Sequence, residues 1–384
     1  MTTELVQETV YSKDFQRLLE RAKDPEWLIA LRRKAFDSFT EKGFPTVRQE
    51  NWKYTNVAPI TNEKWAIEPA ASQPLTDESV RDLLERFNHA RNGFAALNLA
   101  FGEVSVVRIP KDTSIAEPIE LSFAADESNA IFPHVVMIAE RGSKATIVET
   151  YASPGKSFTN AAVQVVVEDN AHLTHYRVQK ESVDAFHVGT TEISVGRGSY
   201  YNATSINLGG ALSRHDIKLK FVAEGGEAYV DGLYMLNGTQ HSDTHSVIDH
   251  LVPNCTSNQN YKGVLNDKSR AVFNGIVFVR ENAHGTDAQQ SNKNLLLSND
   301  ARVDTKPQLE IFNDDVKCSH GATVGQLEEE ELFYLLTRGL PESLARNLLT
   351  YGFAEEIINK IDIEEIKKEL DAAVLNRLSA QIDA

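Results

Sequence analysis

Cysteine is almost absent: the 384 residues hold two, Cys255 and Cys318. Two thiols cannot build a disulfide framework, and such scarcity fits a reducing compartment. Long apolar runs are missing too. No stretch approaches the ~20 residues that a membrane helix needs. Residues 1–14 have neither the basic start nor the apolar core of a signal peptide. Basic residues are outnumbered, 39 Lys and Arg against 55 Asp and Glu, for a formal charge of −16. A chain so acidic offers a nucleic-acid backbone little counterion release. It also lacks a glycine-rich phosphate loop, a nucleophile elbow and a paired Cys-x-x-Cys. Nucleotide binding, elbow-type hydrolysis and structural zinc are left without a motif. The expectation is a cytoplasmic protein with no membrane span and no nucleic-acid partner.

What is present falls into three textures. Residues 1–94 read as a helical region with a linker. Asp24-Pro25-Glu26 is a helix start, and Trp27, Leu28, Leu31, Ala35, Phe36 and Phe39 then recur at helical spacing until Gly43 and Pro45. An aromatic connector follows, in which Trp52 and Tyr54 are expected to pin the chain to the fold. Residues 69–77 form a polar, proline-bearing linker, and a short helix is predicted over 77–88. Residues 95–326 change to β-branched alternation, as in Val163-Gln164-Val165-Val166-Val167. Short acidic or glycine-bearing turns separate these strands, beginning at Glu140, Glu168, Gly196 and Ala223, then at Asn266 and Ser298. The first four recur roughly every 28 residues, in the range of solenoid repeats. Strand repeats without intervening helices imply a mainly β chain with a parallel β-helix core, and a β-sandwich is the competing arrangement. The repeat blurs after Gly238, where insertions are expected.

Residues 327–384 turn helical again. A helix over 327–338 opens on Glu328 to Glu331, the sign that suits a helix N-terminus. A second runs from Pro341 to Tyr351, with Gly352 as its stop. The last starts near Asp362 and carries an apolar stripe of Ile363, Ile366, Leu370, Val374, Leu378 and Ile382. Such a stripe packs on its own domain or docks a partner.

Candidate chemistry centres on residues 313–326. In an extended segment Cys318 and His320 face the same way and present sulfur and nitrogen from one surface. That donor set suits iron, zinc or an iron–sulfur cluster. The same alternation, Val316, Cys318, His320, Ala322, Val324, also describes a core face with a satisfied histidine, since free cysteine behaves as a small buried hydrophobe. Two weaker candidates exist. His241, Asp243 and His245 would share a face of a strand, although a polar ladder is the simpler reading. Asp314-Asp315 suggests a glycosidase pair, but neighbours in a strand diverge, and a turn fits them better.

Several stretches together resemble a known family: Asn51-Trp52-Lys53-Tyr54-Thr55, Asp243-Thr244-His245-Ser246, Gln289 to Ser298, Thr305 to Ile311, and Asp315 to Gln326 continuing into Leu332 to Gly339. Their order and spacing are similar to the SufB/SufD family of the SUF iron–sulfur cluster assembly system. The resemblance implies a right-handed parallel β-helix core flanked by N-terminal and C-terminal α-helical regions. It implies a non-catalytic scaffold that pairs with a SufB-like subunit and docks a SufC-like ABC ATPase through its C-terminal helices. A transient cluster would be shared at the SufB–SufD interface, with no cofactor permanently bound to the isolated chain and a homodimer possible without partners. His320 occupies the position of the histidine implicated there, as a metal donor, and Cys318 matches the pattern beside it. The chain has no cysteine shortly before Thr305-Lys306-Pro307, which departs from SufB and sets it on the SufD side. A β-helix carbohydrate-active enzyme is the alternative function.

Overall fold

The turns that punctuate the middle of the chain share one backbone device. Asp112, Gly142, Asn170, Gly198, Gly225, Asn254 and Gly285 all have positive φ, between 54° and 74°. Glycine, asparagine and aspartate enter that region at least cost. Each N–H donates to a carbonyl at the same corner one coil on, Gly142 to Asp169, Asn170 to Arg197, and so to Gly285 and Asp315. From Gly142 the intervals are 28, 28, 27, 29 and 31 residues. Each interval is one turn of a solenoid.

The computed structural model describes residues 9–67, 75 and 77–379. Its strands stack into two sheets. One has nine strands and runs from Glu103–Ile109 to Arg302–Ile311; the other has eight and runs from Ile119–Ala124 to Val316–Gly325. Neighbours within a sheet are parallel and one coil apart, as Phe158 opposite Phe186 and Leu212 opposite His241. This is the parallel solenoid expected, and it excludes a sandwich, whose sheets are antiparallel. The insertions expected after Gly238 amount to a few residues: the coils closing at Asn254 and Gly285 take 29 and 31 residues. The register continues unbroken through His241–His250, Arg270–Val279 and Arg302–Ile311. The repeat blurs there because the coils lengthen.

The lumen between the sheets is filled from both sides, by Val135, Val165, Ile193, Leu219 and Val277 of the nine-stranded sheet and Ile147, Leu173, Tyr201 and Val230 of the eight-stranded one. The N-terminal helices cover the outer face of the nine-stranded sheet, where Leu28, Phe36, Trp52, Phe94 and Leu97 meet Val136, Phe158, Ala162 and Val188. One of these helices is unexpected. Gly93–Phe101 is helical and every residue in it is buried, so strand structure begins at Glu103 rather than Ala95. A helix that is apolar all round offers no stripe to read. Asn92 caps it by accepting the N–H of Ala95 at 2.9 Å.

At the other end the helices are Glu329–Thr337, Glu342–Ile358 and Glu364–Ser379. Gly352 does not end the second. It lies within the helix, where a Cβ would meet nothing within 4 Å, and costs only about 1 kcal/mol relative to alanine. The apolar stripe of the last helix is already covered. Leu370, Val374 and Leu378 pack with Ile357 and Ile358 onto Val148, Tyr176, Ile206 and Leu233, the outer face of the eight-stranded sheet. Ile382, residues 1–8 and most of the 69–77 linker lie outside the described residues. Among the described residues no helix is long and apolar enough to cross a membrane.

Candidate functional site

Among the described residues, both sheets stop at the same end of the solenoid with an unpaired edge. Val316–Gly325 pairs, among the described residues, only with Thr286–Leu296, and Arg302–Ile311 only with Arg270–Val279. Ile311, Phe312 and Val324 are exposed along this end. Free edges template pairing with another chain, and charge, proline or a cover usually blunts them.

The register fixes which way the last strand points. Cys318 lies opposite Ala288, and His320 opposite Gln290. Ala288 belongs to the lumen core, and Cys318 packs against that same cluster. His320, two residues on, therefore shares the inward face. The stripe is a core face that lacks its final covering coil. Cys318 is half-buried and His320 is exposed. Burial raises the Cys318 thiol above its ordinary range; a backbone N–H at Ala288 opposes this and the Asp287 carboxylate adds to it. The sulfur is thus a protonated thiol at neutral pH, and a metal must displace that proton to use it.

The turn before this strand is built by the residues considered as a carboxylate pair. Asn313 Oδ1 accepts the Asp315 N–H at 2.9 Å, Asn313 Nδ2 donates to Glu281 O at 2.6 Å, and Asp315 O accepts the Gly285 N–H at 2.8 Å. Asp314 and Asp315 are exposed turn residues, as their spacing indicated.

His241, Asp243 and His245 do share the outer face of one strand, but His241 and Asp243 anchor the N-terminal connector and His245 pairs with Asp243 at 3.1 Å. Asp243 accepts from Thr55 Oγ1 at 2.5 Å and from Arg214 Nη1, and Thr55 Oγ1 also lies 2.8 Å from His241 Nε2. Arg214 further donates to Asp216 at 2.8 Å. Burial alone would raise the Asp243 carboxyl, but Arg214 and His245 hold it well below the usual carboxylate range. Among the described residues no group of three His, Cys, Asp or Glu side chains is placed to hold a metal. Cys318 and His320 supply two donors at most.

The sequence reading missed the polar interior. Glu149 and His175 meet in the lumen at 2.9 Å, His187 donates to Glu181 at 2.9 Å, and Arg177 Nη2 donates to His187 Nε2 at 2.6 Å. Nearer the open end, Gln290 Nε2 donates to Gln259 Oε1 and Gln259 Nε2 to Ser246 Oγ, both at 2.7 Å. The available signal was like residues one coil apart, glutamine at 259 and 290.

Comparison with known proteins agrees with this architecture. Residues 122–353 match the SUF system FeS cluster assembly SufBD core domain, and residues 7–79 the SufBD N-terminal region. An iron–sulfur cluster assembly SufBD family protein of Synechocystis is 37% identical over 86% of this chain and 75% of its own length. The iron–sulfur cluster assembly protein SufD of Escherichia coli is 32% identical over 88% of this chain and 90% of its own. SufD of Bacillus subtilis is 26% identical over 97% and 98%. With a solenoid core, the matching N-terminal region and these relatives together, the chain belongs to the SufBD family of iron–sulfur cluster assembly proteins.

Proposed function

We propose that the chain is a scaffold subunit without turnover of its own, acting in the cytoplasm, whose open end pairs with a SufB-like subunit around a nascent iron–sulfur cluster. The observation that carries this reading is an exposed imidazole, His320, on the inward stripe of a terminal coil whose edges are both free. The cluster is cargo. Both [2Fe–2S] and [4Fe–4S] clusters are commonly held by four protein donors, so His320, with Cys318 beside it, needs a partner to complete the set. A partner whose own strands continued the two sheets would satisfy the edge N–H and C=O groups and cover Ile311, Phe312 and Val324. It would also exclude water from the inward stripe. His320 binds iron as a neutral nitrogen donor. Without that partner, a second copy of the chain meets the same open end.

A SufC-like ATPase is assigned to the C-terminal helices on a narrower surface than their stripe suggested. The last helix is occupied by its own sheet. Glu329–Thr337 is not, and its Phe333 and Tyr334 are 67% and 56% exposed, with Leu344 and Leu348 exposed on the next helix. Removing all three helices would uncover Val148, Tyr176 and Ile206, so point changes test this surface better than truncation.

The test is co-expression of the His320→Ala chain with SufB-like and SufC-like partners, anaerobic purification, and a count of iron and sulfide. The expected result is an intact complex with little of either. Undiminished iron removes His320 from the site.

A further inference from the structure

Gln290 lies one coil beneath His320 in the parallel ladder, and its carbonyl oxygen has no hydrogen-bond partner although the residue is only 3% exposed. The other half of the amide is committed. Its Nε2 donates to Gln259 Oε1, and Gln259 Nε2 donates in turn to Ser246 Oγ. This relay has a direction. Each amide directs its NH2 deeper into the solenoid, so the acceptor left over, Gln290 Oε1, belongs to the last covered coil. The side chain is held across the lumen against Gly275, where a methyl group would come within 2.4 Å of Nε2 and 2.9 Å of Cδ.

A buried acceptor without a donor costs about 1–3 kcal/mol. Native interiors contain few of them, and they gather where a ligand, an ion or a functional group completes the bond. The inward residue of the next coil in the same column is His320. Adjacent strands are ~4.8 Å apart, within reach of an imidazole N–H turned down onto the amide. Histidines that bind metal almost always donate their other ring N–H to such an oxygen, which fixes tautomer and ring orientation.

We propose that Gln290 is a positioning residue for His320: its buried carbonyl oxygen accepts the imidazole N–H and leaves the other ring nitrogen, as a bare lone pair, facing out of the open end. The inference rests on reading His320 as the nitrogen donor, but its first test does not require iron. With histidine labelled in ¹⁵N, long-range ¹H–¹⁵N correlations report the His320 tautomer in the full chain. The native chain is expected to hold one tautomer in large excess. Gln290→Met, close in volume and without an acceptor, is expected to relax the ratio toward that of free imidazole. Gln290→Glu is expected to retain it, because the Gln259 amide can turn over to donate to the carboxylate while the Ser246 hydroxyl donates to Gln259. Gly275→Ala displaces the Gln290 side chain without altering its chemistry and is expected to act like Gln290→Met, which keeps the test available if either variant folds poorly. A tautomer ratio indifferent to both Gln290→Met and Gly275→Ala overturns the proposal.

In the purified complex, Gln290→Met is expected to weaken iron binding about 10–100-fold, with Gln290→Glu restoring most of it. The two readings fail separately. If the tautomer responds as described but the His320→Ala complex keeps its iron, the positioning stands and the ligand assignment falls. If the tautomer is indifferent while His320→Ala loses iron, the ligand assignment stands and Gln290 has no part in it.

Discussion

Arg214 grips the N-terminal connector through Trp52, its guanidinium carbon 3.8 Å from the centre of the indole ring. The same guanidinium donates to the Asn51 carbonyl at 2.9 Å and is paired with Asp216 and Asp243. Arg214 is 2% exposed. A buried charge keeps its place only when such partners surround it, so connector and sheet stabilise each other. Trp52→Ala is therefore expected to cost about 3–5 kcal/mol, read as a drop in the denaturant midpoint. Tyr54→Ala, two residues on and exposed, should stay within about 0.5 kcal/mol. Equal midpoints for the two variants would show that Arg214 holds nothing in place.

His250 sets a pH dependence. Its ring is buried, Nε2 lies 2.9 Å from Ser257 Oγ, and Nδ1 has no partner. Burial pushes the imidazole down to about 4, against about 6.5 in an unfolded chain. Between those values the unfolded chain binds a proton that the folded chain refuses. The stabilisation is complete above about 6.5 and lost as pH falls toward about 4, amounting to about 2 kcal/mol by pH 5. His250→Leu removes this dependence. Other buried histidines act on both proteins and cancel in the difference. Denaturant midpoints at pH 7.5 and pH 5 should converge between the two chains on acidification; a constant gap would contradict the assignment.

The C-terminal helices divide into a packed part and an open part. Leu370→Ala removes a fully buried side chain from the helix–sheet contact and is expected to cost about 2–5 kcal/mol. Phe333→Ala, on an exposed position, is expected to leave stability within about 0.5 kcal/mol and to abolish capture of a SufC-like ATPase. Capture by the Phe333→Ala chain at the native level would move that docking surface elsewhere.

Charge placed on the open end should block pairing. Val324→Lys adds a cation to the exposed inward stripe, and charged edges resist strand addition. Association with a SufB-like subunit is expected to weaken at least tenfold by titration, with an unchanged melting temperature. Unaltered affinity would mean that the partner binds another face.

Much of this was legible in the residues, for physical reasons. The corners at Gly142, Asn170, Gly198 and Gly225 need left-handed backbone, which restricts the residues there and makes the period visible. Cys318 and His320 fall on one face because side chains in a strand alternate. That His320 is exposed and Cys318 only half-buried was not legible, since it depends on no coil following Val316–Gly325. The Gly93–Phe101 helix escaped because it is apolar on every side. The Ser246, Gln259 and Gln290 relay escaped because polar residues in a strand read as surface. The stripe at Leu370, Val374 and Leu378 left two readings open, and only its contact with Val148, Tyr176 and Ile206 decided between them.

The claim that an imidazole from this chain binds the nascent cluster is open to a direct spectroscopic reading. Label histidine with ¹⁵N in this chain only, assemble it with unlabelled SufB-like and SufC-like partners, trap the cluster in a paramagnetic state, and record nitrogen hyperfine couplings. The account predicts a ¹⁵N coupling of ligand strength that disappears in His320→Ala. A cluster of native intensity with no such coupling, or one that survives the substitution unchanged, would contradict it.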